Sequence, residues 1–143
     1  EVLRIRSRDD LAQQVLEDGL AQLGDSPELS HSLGLVLVRL GDVTEAIERL
    51  RVAADARPEN ARFSYVYGVS LASAGQRDQA MAVLREALRR HPFEVDLLSA
   101  LTAYHRDAGE VDSAILYAER LAEVTPDDPN VVQLLAQLRA LRP

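Results

Sequence analysis

The chain contains no cysteine, no tryptophan and no lysine, one methionine, and only 4% aromatic residues among its 143. Without cysteine, this stretch has no disulfide, thiol nucleophile, thiolate zinc site or covalently attached haem. No apolar run approaches the length of a membrane span, and no signal peptide is visible. Because the first residue is Glu1 rather than Met, we expect an upstream piece to have been removed. All 16 basic residues are arginine, which we read as codon bias toward GC-rich codons. They stand against 23 acidic residues, for a net charge of −7. That balance opposes non-specific binding to nucleic acid or anionic lipid and steers in a basic partner.

What the chain does have is an apolar fraction of 47%, enough to bury a core, with alanine and leucine dominant. Small and aliphatic side chains of this kind suit closely packed helices, so an all-α fold is expected.

The strongest signal is a period. Gly41, Gly75 and Gly109 are 34 residues apart, as are Ala46, Ala80 and Ala114, then Pro58, Pro92 and Pro126, and also Gly34 and Gly68. A fixed repeat of this length implies a stack of two-helix units, each too small to bury its apolar face alone. We place a half-unit helix at residues 8–24, full units at 27–60, 61–94 and 95–128, and a capping helix at 129–143, all within one domain.

In the first unit Ser26 is the expected N-cap, with Pro27 at the first helical position and an apolar pattern through Leu29, Leu33, Leu37 and Leu40. Gly41 closes that helix. Asp42 and Glu45 have the spacing of a capping box for the second helix, whose inward face is Ala46, Ile47, Leu50 and Ala53. The second unit repeats this with Tyr67, Gly68 and Leu71, then Ala80, Leu84, Ala87 and Leu88. Glycine is a poor helix former, so Gly34 and Gly68 inside helices imply close approach to the partner helix, at Ala46 and Ala80. The third unit has Thr102 in the glycine position, with Ala118 and Leu121 where the second has Leu84 and Ala87. Large and small have changed places at roughly constant volume. The last helix, from Asp128-Pro129 through Val132, Leu135, Leu138 and Leu141, is half-polar, as a cap should be. Shifting the register back by 34 sets Ala12 on Ala46, Leu16 on Leu50 and Gly19 on Ala53, the second helix of a unit.

With Leu33-Gly34, Tyr67-Gly68, the Gly-x(4)-Ala steps and the closing prolines, the chain resembles the tetratricopeptide repeat family over about Pro27 to Asp128. It departs from the family pattern where Ser30, Ser64 and Leu98 replace an early Trp and Leu37, Leu71 and His105 replace a late aromatic. The resemblance implies a right-handed α-solenoid of antiparallel helix pairs whose first helices line a groove for a peptide or protein segment. Carried onto this chain, the groove rows are Glu28, Arg62, Asp96 and Asn130; His31, Tyr65, Ser99 and Gln133; Leu35, Val69, Ala103 and Gln137; and Val38, Ala72, Arg106 and Ala140. Arg39 joins Arg62 and Arg106 around an apolar floor, a surface suited to a segment with apolar anchors and a carboxylate or two. Repeats that grip chaperone tails use Lys, Asn and Arg, where this chain has His31, Leu35, Val66, Asp96 and Ala100. That clamp is absent. The run Ala-Arg-Phe-Ser-Tyr-Val-Tyr-Gly from Ala61 to Gly68, with Arg90-His91-Pro92, also resembles repeats appended to bacterial exported multihaem cytochromes. This would imply a periplasmic accessory domain with haem upstream of Glu1.

Chemistry-bearing motifs are few. His31, His91 and His105 lack the i, i+4 partner and flanking glutamate of a helical zinc site, so we read them as structural or surface residues, with His31 on a groove row. Tyr67 reads as core, and Tyr65 as either a groove contact or a surface aromatic. Arg85, Arg89 and Arg90 read as a solvated face near a helix C-terminus. No nucleophile elbow, phosphate loop or dinucleotide fingerprint is present. The expectation is therefore a non-enzymatic, protein-binding scaffold with no cofactor, metal, nucleic acid or membrane partner. A second reading pairs the apolar face of the first half-unit with another copy of the chain.

Overall fold

Helix punctuation divides the chain into eight segments in the computed structural model, which describes residues 1–142. In order they are α1 (Val2–Leu23), α2 (Pro27–Leu40), α3 (Val43–Ala56), α4 (Ala61–Ser73), α5 (Arg77–Arg90), α6 (Val95–Asp107), α7 (Val111–Val124) and α8 (Pro129–Ala140). No strand occurs among the described residues.

The caps show why the boundaries fall where they do. Ser26 accepts a hydrogen bond from the Leu29 amide and Pro27 occupies the first turn of α2, as the sequence predicts. Gly41 ends α2 at φ 87°, a left-handed conformation that side chains with a Cβ rarely adopt. Asn60, a cap the sequence reading passed over, accepts from the Phe63 amide. Asp128 accepts from the Asn130 amide at the start of α8.

Two expectations need correction. Asp42 is the N-cap of α3, but its side chain makes no capping bond, and Glu45 reaches forward to Arg49 at 3.3 Å. A spacing that permits a capping box does not enforce one when the acid has an arginine one turn on. The first helix also begins at Val2 rather than near residue 8, continuing two turns back from the half-unit.

The chain forms two compact units, Glu1–Ala80 and the part from Met81 onward. In the first, α2 and α3 pack as a hairpin, with α1 against α2 and α4 against α3. Leu33, Leu37 and Ala46 form one core cluster, joined by the half-buried Leu16 and Leu20 of α1. Ala53, Ala54 and Phe63 form another, joined by Tyr67. In the second unit α6 and α7 make the hairpin and α8 packs on α7, around Ala114, Ile115, Ala118 and Leu138.

The mid-helix glycine of α2 is explained by contact, though with a different neighbour from the one expected. A Cβ on Gly34 would lie 2.6 Å from Leu50 Cγ and 3.3 Å from the Ala46 carbonyl oxygen. The close approach exists, and the side chain that needs the space is Leu50 rather than Ala46. Two periods later the same places hold Thr102 and Ala118, both essentially fully buried, with the Thr102 hydroxyl donating to the Leu98 carbonyl at 2.8 Å. Filling the first-helix position is matched by emptying the second-helix one.

Candidate functional site

The residues expected to line a groove divide between the two units, and the structure gives each a definite environment. In the first unit His31 is 7% exposed and stacks on Phe63, with ring centroids 4.3 Å apart and planes 20° from parallel. This stack joins α2 to α4. His31 Nδ1 is buried with no hydrogen-bond partner. Burial first, and the charge of Arg62 second, push the imidazole below its ordinary pKa, so the neutral ring is favoured.

Around the stack, Leu35 on α2 and Tyr65 and Val69 on α4 are half-buried, while Val38 is 43% exposed. Arg62, Tyr65 and Val69 follow an i, i+3, i+7 spacing, so α4 presents them along one side. Tyr65 is accordingly neither core nor fully solvated.

The two guanidiniums expected beside this floor are in different states. Arg39 is taken: its Nε and Nη2 both donate to one oxygen of Asp9, at 3.0 and 2.7 Å. That charge-assisted hydrogen bond holds the Asp9 carboxyl below the usual range. The pair ties α1 to α2 across 30 residues of sequence, and no local spacing rule points to it. Arg62 is exposed and has neither an ion pair nor a side-chain hydrogen bond among the described residues.

In the second unit Ser99 is exposed, Ala103 is half-buried, and Arg106 is exposed and paired with the adjacent Asp107 at 2.9 Å. His105 is 3% exposed and well satisfied. Its Nδ1 bonds the Glu110 carboxylate, its Nε2 lies 3.5 Å from Arg85 Nη2, and its ring stacks on Tyr117. A carboxylate only accepts, so Nδ1 donates. Arg85 is exposed, with its guanidinium reaching to His105, whereas Arg89 and Arg90 both grip Glu86 and hold its carboxyl down to about 2.

Two further hollows lie in the first unit. One, of about 240 Å³, is lined by Val2, Ile5, Arg6 and Leu40 beside the Asp9–Arg39 pair. The other lies among Val43, Thr44, Ile47, Ala74 and Gln76. Among the described residues there is no cluster of three metal-ligating side chains, and no helix is long and apolar enough to cross a membrane.

Helix pairs recurring at a 34-residue period, with their turns and caps in register, define the class: an all-α helical-repeat solenoid. Family models described as tetratricopeptide repeat match residues 31–95 and 71–138. The chain belongs to the tetratricopeptide repeat family. Among curated proteins it is 21% identical over 138 residues to the interferon-induced protein with tetratricopeptide repeats 3 of Mus musculus, covering 94% of this chain and 34% of the relative. It is 31% identical over 137 residues to the cellulose synthase operon protein C of Xanthomonas axonopodis pv. citri, covering 87% of this chain and 9% of the relative. The chain therefore spans about a third of the length of the first of these relatives and about a tenth of the second. Among solved structures, MamA superposes with a TM-score of 0.82 at 20% identity, over 97% of this chain and 76% of that one. YrrB, described as a TPR protein with an unusual peptide-binding site, superposes with a TM-score of 0.76 at 19% identity, over 97% and 70%.

Proposed function

We propose that this chain is a non-catalytic scaffold that holds a peptide or protein segment against the groove-lining face of its first helices. One observation carries the reading: around the His31–Phe63 stack, Leu35, Val38, Tyr65 and Val69 leave apolar and aromatic surface partly open, with an arginine beside it. Apolar anchors with a cation alongside are what a segment-binding surface requires. The peptide-binding site in the description of YrrB supports the reading by analogy of fold. On the second unit the corresponding positions of α6 are Ser99 and Ala103, with Arg106 paired to Asp107.

The test is a map of amide shifts in isotope-labelled protein titrated with peptides selected from a random display library. Shifts gathered on α2, α4 and α6, and affinity lost in Tyr65→Ala combined with Arg62→Ala, are expected. Shifts confined to α3 and α7 would overturn the reading.

A second reading, self-association, draws on α1. There Leu11, Val15 and Leu23 are 62%, 61% and 77% exposed, more open than apolar residues on a helix packed on both sides. Light scattering across a concentration series decides it, and a mass that stays monomeric rejects it.

A further inference from the structure

From α2 to α4, four of the five guanidiniums have their charge answered from within the fold. Arg39 is held by Asp9, Arg49 by Glu45, Arg51 by Glu48 and Asp55, and Arg57 by Glu28. Arg62 is the exception on the side of α2 and α4 where the segment-binding surface is placed.

Its position is also electrostatically adverse. Arg62 is the second residue of α4, where exposed backbone amides make the helix end positive and a cation is disfavoured. The equivalent positions one period away hold Glu28 in α2 and Asp96 in α6, the acids that such an end favours. The first turn of α4 contains no acid at all. A residue that breaks a local rule obeyed in both neighbouring repeats is best explained by a demand from outside the fold.

A second observation lies beside it. Phe63, the next residue, stacks on His31, whose Nδ1 is more than nine-tenths buried and unpartnered. Two polar groups in one neighbourhood thus lack an internal counterpart. One is cationic and exposed; the other is neutral and enclosed. The surface nearby offers apolar contact through Leu35, Tyr65 and Val69.

We infer that Arg62 is the recognition point for an acidic side chain of the bound segment, with Arg39 and Arg106 serving the fold instead. The inference rests on the segment-binding reading and sharpens it. The partner is a protein segment with one obligatory Asp or Glu beside an apolar residue. The carboxylate accepts from the Arg62 guanidinium and lies toward the positive end of α4, so helix and side chain act on it together.

The experiment selects short random peptides on the wild-type chain and, separately, on Arg62→Glu. The wild-type pool should be enriched in Asp or Glu at one position adjoining an apolar residue, and the Arg62→Glu pool should lose that enrichment or replace it with Arg or Lys. A selected acidic peptide should bind Arg62→Ala and Arg62→Gln roughly tenfold more weakly, the scale of a charge-assisted hydrogen bond. It should bind Arg39→Gln and Arg106→Gln with nearly unchanged affinity. Because Arg62 is exposed, the Arg62 variants should keep the wild-type circular dichroism and melting point, which separates lost binding from lost fold. A wild-type pool without an acidic position, or peptides indifferent to Arg62→Gln, would overturn the inference while leaving the segment-binding surface standing. Peptides equally indifferent to Leu35→Asp and Tyr65→Ala would overturn both, as would a selection that yields no binder.

Discussion

The hairpins α2–α3 and α6–α7 share one register and solve two packing problems in opposite ways. In the first, the glycine lies on the first helix and the bulk on the second, Gly34 beneath Leu50. In the second, Thr102 fills the first helix and Ala118 yields on the second. Each hairpin also buries a histidine on its first helix and stacks an aromatic ring on it, yet His31 keeps an orphaned nitrogen while His105 is tied to Glu110 and approached by Arg85. Summed volume across the interface is therefore conserved more strictly than residue identity. The polar content of a core is unconstrained until its hydrogen bonds are followed individually.

The contrast is easiest to break through volume. Leu50→Ala should cost about 2–5 kcal/mol, and Gly34→Thr about 1–3 kcal/mol through overpacking. Combined, they rebuild the Thr102–Ala118 arrangement in the first unit. The double variant should therefore be more stable than the sum of the two losses predicts, by at least about 1 kcal/mol. Urea unfolding of the four proteins measures this, and strict additivity would reject the exchange.

Next in size is one substitution made at both histidines. His105→Phe removes the hydrogen bond to Glu110 and the approach of Arg85, and should cost about 1–3 kcal/mol. His31→Phe removes only an unpaired nitrogen and keeps the stack on Phe63, so it should lie within about 1 kcal/mol of wild type, on the stable side. Equal losses at the two sites would show that the orphaned nitrogen has a partner in solution.

The smallest effect is a pH dependence. The folded state lowers the His31 pKa, so the unfolded chain takes up its proton at higher pH than the native one. No penalty exists above the ordinary histidine value of about 6.5, and stability falls as pH drops from there toward the lowered folded value. Melting temperatures between pH 7.5 and 5.5 should accordingly decline less in His31→Phe than in wild type. Identical slopes would remove His31 as the cause.

Much of this architecture is legible in the residues themselves. A period that returns glycine, alanine and proline in register places the helix ends near where caps and prolines set them, and Ser26, Gly41 and Asp128 act as read. Less legible is anything decided between helices. The spacing around Gly34 announces close approach without saying which residue needs the space, since Ala46 and Leu50 lie one turn apart on the same helix face. Asp9 and Arg39 are too distant in sequence for any local rule to join them. Glu110 reaches His105 only because the turn between α6 and α7 folds back. Arg62 could be named from its row, but its want of an internal partner becomes visible only once the other guanidiniums from α2 to α4 are seen to have found theirs.

The Asp9–Arg39 tie has a further consequence. Asp9 is the only buried side chain of α1, and Leu16 and Leu20 are merely half-covered, so this helix adheres to α2 through a modest apolar contact and an ionic clasp. Adhesion of that kind weakens with added salt, while the leucine-lined interior of the α2–α3 hairpin does not. The molecule should therefore peel before it melts: α1 exchanges its amide protons first, and earlier still in concentrated sodium chloride, while α2 and α3 stay protected to the end.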